Sequence, residues 1–204
     1  MKTFPTTAIV LALLLVPGAV LAQSNDTDGD GVPDIAEPLL HTDPGSPDTD
    51  GDGIGDLQDD APIIAPTPIV AGGAPAPFHI IEVLVENNID PVAHRDAPDH
   101  LEIAVVNDGT TDLSGFTLFY TMTDQDSGVH EAYIAHPDTV VPAGGEARFH
   151  VDDSGADGHL RANPNSIYVT SVAGKDVTVA LQLDGYAAAT MTIQKDPGGA
   201  EQAD

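Results

Sequence analysis

Residues 116–123 read Phe-Thr-Leu-Phe-Tyr-Thr-Met-Thr, and residues 177–184 read Val-Thr-Val-Ala-Leu-Gln-Leu-Asp. In the first, Phe116, Leu118, Tyr120 and Met122 alternate with Thr117, Phe119, Thr121 and Thr123. In the second, Val177, Val179, Leu181 and Leu183 alternate with Thr178, Ala180, Gln182 and Asp184. Successive side chains of a strand point to opposite faces, so a period of two places one set inside and the other outside. Both stretches are half-buried strands. Outward from them, Ile80–Val85, Leu101–Val106, Ala132–Ala135, Ala147–Val151, Ile167–Val172 and Ala189–Ile193 are further strand candidates. They are separated by turns such as Asn107-Asp108-Gly109 and Pro142-Ala143-Gly144-Gly145. About eight short strands, no convincing helix and no strand-Gly-helix nucleotide unit predict a mainly β chain. The expected architecture is an immunoglobulin-like antiparallel β-sandwich.

The rest of the chain differs in texture. Residues 1–22 have the form of a secretory signal: Lys2, an apolar run Ala8–Val16, a Pro17-Gly18 break and Val20-Leu21-Ala22 before the expected cleavage. The apolar run is well short of the ~20 residues of a membrane span, so no membrane span is expected in the mature chain. Residues 23–60 are rich in Asp and Gly, 61–77 form a Pro/Ala-rich linker of extended character, 78–196 hold the strands, and 197–204 make an acidic tail. The chain carries 33 acidic against 6 basic residues, a net charge of −27, which makes nucleic acid and anionic membranes poor partners. Cysteine is absent, so disulfides and thiolate chemistry are excluded. Residues 23–77 hold 12 acidic and no basic residues. Charge so dense and uncompensated either leaves a segment disordered or binds cations.

The spacing favours cations. Asp26, Asp28, Asp30, Asp34 and Glu37 stand at positions 1, 3, 5, 9 and 12 of one loop, with Gly31 at position 6 and the carbonyl of Val32 at position 7. Twenty-two residues later the pattern returns with Asp48, Asp50, Asp52, Asp56 and Asp59, Gly53 at the turn and the carbonyl of Ile54. Ca2+ takes six to eight oxygens at ~2.3–2.6 Å, and side chains at every second position of a curled loop converge on one point. The metal expected is Ca2+. Mg2+ demands a tighter octahedron and keeps its waters.

Asp26–Asp34 (DTDGDGVPD) and Asp48–Asp56 (DTDGDGIGD) resemble thrombospondin type 3 repeats of microbial secreted and surface proteins. That resemblance implies irregular loops wrapped around closely spaced calcium ions, with the Asp side chains as ligands, and Asp43 and Asp60 in shared or outer contacts. Val106–Leu118 with Val141–Gly145 is similar, more loosely, to lamin-tail-like and related immunoglobulin-type modules, which implies a binding or spacer unit without catalysis. EF-hands need flanking helices, which Pro33, Pro38, Pro44 and Pro47 deny. Dockerin-type modules share a duplicated loop, but their intervening helix must fit between Pro38 and Pro47.

The expected function is that of an exported calcium-binding, non-catalytic protein of structural or adhesion type, secreted, periplasmic or on the cell surface. Its expected partners are calcium and a cell-surface or extracellular matrix protein or polysaccharide. The alternative is a dockerin-like or carbohydrate-binding accessory module of an extracellular enzyme system, against which stand the low aromatic content of 4% and the absence of Trp. Among the eight histidines, His94 with His100 and His150 with His159 are candidate pairs across turns, but the spacings fit no usual zinc signature. Solvated surface imidazoles are expected. Ser127 and Ser154 sit beside Asp and His without a Gly-x-Ser-x-Gly elbow, and no catalysis is expected from them.

Overall fold

The computed structural model describes residues 25–86, 89–90, 95–96, 100–152 and 154–197; the signal segment, the tail beyond 197 and His94 lie outside the described residues. Ten strands follow in chain order: β1 (Phe78–Glu86), β2 (Ile89–Asp90), β3 (Arg95–Asp96), β4 (His100–Asn107), β5 (Thr117–Asp124), β6 (His130–Ala135), β7 (Glu146–Asp152), β8 (Leu160–Arg161), β9 (Lys175–Gln182) and β10 (Ala189–Lys195). One four-stranded sheet has the order β1-β4-β7-β8, the other β10-β9-β5-β6, and β2 and β3 pair by themselves. The chain is mainly β, two sheets packed as a sandwich. Every strand pair is antiparallel except β7 with β8, which run parallel.

The alternation of residues 116–123 is realised on β5, where Leu118, Tyr120 and Met122 are buried and the threonines between them are partly exposed. Phe116 anchors the core. Its ring meets Phe78 edge-on at 5.1 Å and Phe149 at 5.4 Å, joining both sheets, while Tyr120 stacks on its cross-strand partner Tyr133 at 5.1 Å. Such pairs add about 0.5–1.5 kcal/mol each beyond the area they bury.

The strand expected at Ile167–Val172 is instead a single helical turn, α2 (Ile167–Thr170). The β-branched pattern of Ile-Tyr-Val-Thr is overruled at the N-terminus of the turn. Ser166 accepts from the Tyr168 amide at 3.2 Å, and the buried carboxylate of Glu131, reaching from β6, accepts from the Ile167 amide at 2.9 Å. Two otherwise orphaned helix donors are thereby satisfied, which outweighs a propensity difference of about 0.5 kcal/mol.

β1 and β10 close one side of the sandwich, and β6 and β8 border the other. The Asp-rich segment seats on that second side. Arg161 of β8 holds the buried Asp43 carboxylate through two hydrogen bonds, Nε at 2.5 Å and Nη2 at 2.7 Å. Asn163 donates to the His41 carbonyl at 2.7 Å and Asn165 to the Thr42 carbonyl at 2.6 Å. On β6, the Ile134 amide donates to the Asp50 carbonyl at 2.7 Å, and Ala132 exchanges hydrogen bonds with Ile63 and Ala65 at 2.9 Å. The Pro/Ala-rich segment 61–77 lies outside the helices and strands, and it contacts the sandwich. Ala65 is buried there, the Val70 backbone exchanges two hydrogen bonds with the Gln182 side-chain amide, and Ala74 bridges to Tyr186.

A buried ion pair joins β5 and β9 of the second sheet. Lys175 Nζ lies 3.1 Å from Asp124 Oδ2, both side chains almost fully buried, and donates also to the Ala173 carbonyl at 2.6 Å. The Ser171 hydroxyl, the Ser127 amide and hydroxyl and Lys175 together hold the Asp124 carboxyl well below the usual carboxylate range. A depressed folded pKa means stability that is present above the unfolded value near 4 and is lost as pH falls through the folded value. Lys175→Met is expected to cost about 3 kcal/mol, the lower end for a broken buried pair because Asp124 keeps its serine donors. Denaturant melts at pH 7 check the loss, and the difference between the two proteins should shrink in strong acid, where Asp124 is protonated in both.

Candidate metal centre

In each Asp-rich loop the aspartates at positions 1, 3 and 5 turn the backbone with one oxygen, and Asp48 also accepts from the Gly53 amide with its second, at 2.9 Å. In the first loop, Asp26 Oδ1 accepts from the Gly29 amide at 2.9 Å, Asp28 Oδ1 from Asp30 at 3.2 Å and Asp30 Oδ1 from Val32 at 2.6 Å. The second repeats the ladder: Asp48 Oδ1 accepts from Gly51 at 2.9 Å, Asp50 Oδ1 from Asp52 at 3.1 Å and Asp52 Oδ1 from Ile54 at 2.8 Å. These side-chain-to-backbone bonds are ordinary turn chemistry for aspartate. What they leave over is not ordinary. The Oδ2 atoms of Asp28, Asp30 and Asp50 are buried without a hydrogen-bond partner, and one oxygen from each of Asp26, Asp28 and Asp30, as of Asp48, Asp50 and Asp52, lies within 4.8 Å of the others.

Glu37 lies near the first cluster, close enough for Asp28 and Asp30 to act on its charge. It opens a one-turn helix, α1 (Glu37–Leu40), which ends when His41 adopts a left-handed conformation at φ 63°. Its side chain is 0% exposed and neither carboxylate oxygen has a partner. Burial, followed by the negative charges of Asp28, Asp30, Asp34 and Asp43, pushes its pKa up to about 7. In the second loop, burial and then the charges of Asp52, Asp59 and Asp48 push Asp50 up to about 7 as well, against one backbone hydrogen bond. A buried carboxylate without donor or counter-charge is costly, and the usual remedies are a proton or a cation.

The remaining expected ligands fall in two groups. Asp34 and Asp56, at position 9, turn both oxygens to the threonine at position 2: Asp34 to Thr27 N and Oγ1 at 2.7 and 2.8 Å, Asp56 to Thr49 N and Oγ1 at 2.8 and 2.6 Å. These clamps close each loop. The Thr27 hydroxyl holds the Asp34 carboxyl below its ordinary value, whereas burial raises that of Asp56 despite the same bonds. Asp59 accepts from the Ala61 amide at 2.8 Å. Val32 is buried and Ile54 half exposed, so the two position-7 residues sit in unlike surroundings. Asp43 is taken by Arg161. The threonine clamp was legible in the repeated Asp-Thr-Asp, and the sequence reading passed over it.

The loops abut. A Cβ on Gly31 would meet Leu57 Cδ2 at 2.7 Å, and Asp30 raises the pKa of Asp56 across the gap. The donor set is all oxygen, which suits a hard cation.

A third cluster lies elsewhere. His150, Asp152 and His159 bring one donor atom each to within 4.8 Å, and the two imidazoles stack with centroids 4.5 Å apart and planes at 8°. His150 and His159, named as a candidate pair, thus lie together, and both side chains remain partly exposed. Ser154 Oγ donates to Asp152 Oδ1 at 2.6 Å and Ser127 Oγ to Asp124 Oδ1 at 2.9 Å, so both serines serve turns.

No family model and no curated protein matches the chain. Three solved structures with similar regions are the alkylpurine DNA glycosylase AlkC of Pseudomonas fluorescens bound to DNA containing an abasic site analog, a β-glucosidase of intestinal bacteria involved in saponin metabolism, and β-glucuronidase 2 of Bacteroides uniformis bound covalently to an aziridine. Their identities are 12, 11 and 14%, their TM-scores 0.30, 0.32 and 0.30, and they cover 59, 58 and 61% of this chain. The chain spans 31, 16 and 13% of theirs. At such values none of them assigns a family.

Proposed function

We propose that this is an exported, non-catalytic calcium-binding protein of structural or adhesion type, in which Ca2+ orders the two Asp-rich loops beside a β-sandwich that serves as a binding or spacer unit at the cell surface or outside the cell. The observation that carries the reading is Glu37, whose two oxygens are fully buried and unpartnered in a segment with no basic residue. Asp26, Asp28, Asp30 and Glu37 would hold one ion, and Asp48, Asp50 and Asp52, with Asp59 nearby, another. A bound divalent cation supplies the positive charge these carboxylates lack. The chain's own part is to fix the oxygens in advance, through the amide ladder and the threonine clamps, so that little ordering remains at the moment of binding.

Calorimetric titration of the purified protein tests this. At least two Ca2+ ions should bind, with dissociation constants of about 10⁻⁴ to 10⁻³ M, and Mg2+ should give far smaller heats. Asp28→Ala should remove the first equivalent and Asp50→Ala the second, each lowering the other loop's affinity less than about tenfold, a modest coupling in keeping with loops that touch. Matching heats for the two cations would refute calcium as the ligand.

A further inference from the structure

We propose that His150, Asp152 and His159 form a site for a divalent first-row transition ion such as Zn2+, separate from the acidic loops and independent of their reading. His150 and Asp152 are two apart on β7 and therefore share one face, the face opposite the buried Phe149 and Val151. His159 arrives from the turn before β8, whose parallel register sets Leu160 beside Val151. That parallel pairing is what gathers residues nine positions apart.

The carboxylate is held in place on both oxygens, and its Oδ2 reaches an ion only when His159 Nδ1 lets go of it. Asp152 is 6% exposed, its Oδ1 is fixed by the Ser154 amide at 2.9 Å and hydroxyl at 2.6 Å, and its Oδ2 meets His159 Nδ1 at 2.6 Å. Behind His150 stands Glu102, its register partner on β4, with Oε2 3.6 Å from His150 Nδ1. A carboxylate behind a histidine is the usual outer support of a metal-bound imidazole, and Glu102 itself is anchored by Arg148. Two imidazole nitrogens and one carboxylate oxygen form a borderline donor set that suits zinc, cobalt or nickel and suits calcium poorly. Asp152 and His159 border a cleft of about 220 Å³, lined also by Gly155, Ala156, Leu160 and Arg161, with room for water to complete the coordination; the Arg161 guanidinium there is held by Asp43.

The stacked rings make the proposal sharper. Lone pairs of parallel imidazoles run side by side, so one ring must turn about its Cβ–Cγ bond for both to meet a single ion. Binding should therefore unstack the pair. The experiment titrates Zn2+ into the purified protein with Ca2+ saturating, followed by calorimetry and by the imidazole proton resonances. One equivalent of Zn2+ is expected beyond the calcium sites, with large shifts confined to His150 and His159. His150→Gln and His159→Gln should each weaken uptake at least about 100-fold, and Glu102→Gln about tenfold, with circular dichroism and calcium stoichiometry unchanged. His79→Gln and His130→Gln should leave it alone. Absence of zinc uptake, or uptake that survives in whichever of the two first variants folds, would overturn the site.

Discussion

Glu37→Gln is expected to act in opposite directions with and without calcium. In chelator the substitution removes a buried negative charge that has no donor and stands among carboxylates, so the variant should be more stable by about 1–3 kcal/mol. With free calcium at roughly 100 times the dissociation constant, the native protein gains about 2.7 kcal/mol from each occupied site, and the variant forfeits most of that at the first loop. The two melting temperatures should cross as calcium rises. Thermal unfolding across a calcium series reads the crossing directly. A variant equally destabilised at every calcium concentration would mean that Glu37 has a packing role and no part in binding cations.

The second large effect separates two glycines that look alike in sequence. Gly51 and Gly53 both have positive φ, 78° and 96°, so alanine is strained at either. Around Gly53 nothing lies within 4 Å of an added Cβ, and Gly53→Ala should cost only the backbone strain, about 1–2 kcal/mol. A Cβ on Gly51 would drive into the Ile134 carbonyl oxygen, a backbone atom of β6 that cannot turn aside. Gly51→Ala should therefore cost about 3 kcal/mol or more and lift the loop from the sheet. Hydrogen exchange at the Ile134 amide, which donates to the Asp50 carbonyl, distinguishes the cases: protection should fall in Gly51→Ala and persist in Gly53→Ala. Equal loss in both would place the loop's order in the cation site alone.

The parts of the molecule that could be read from sequence are those whose determinants are local. The period of two at Phe116–Thr123 needs only its own residues, and so does the doubled Asp-x-Asp-x-Asp-Gly spacing that curls each loop. Where the deciding partner is distant, the reading failed. Ile167–Val172 looks like a strand until Glu131, 36 positions earlier, reaches the Ile167 amide. Asp43, expected in shared or outer contacts of the loops, gives no sign in sequence that Arg161, 118 positions on, holds it. Nothing in Glu37's neighbourhood announces that it is sealed from water, because the seal depends on how α1 folds back over the loop. For the histidines a signal existed and was discounted: His150 and Asp152 are spaced to share a strand face, and only the parallel arrival of β8 brings His159 to them.

A sheet border left bare is a template on which another molecule's strand can pair. On β6 that template is filled from within, by the Asp50 carbonyl and by Ile63 and Ala65. A second copy reaching for this border would first have to peel off a segment dense in carboxylates, and would bring its own like-charged segment with it. The acidic repeats thus guard concentrated solutions against polymerisation. If a divalent cation orders the repeats as proposed, its withdrawal should loosen that guard, and loss of solubility should precede loss of the fold.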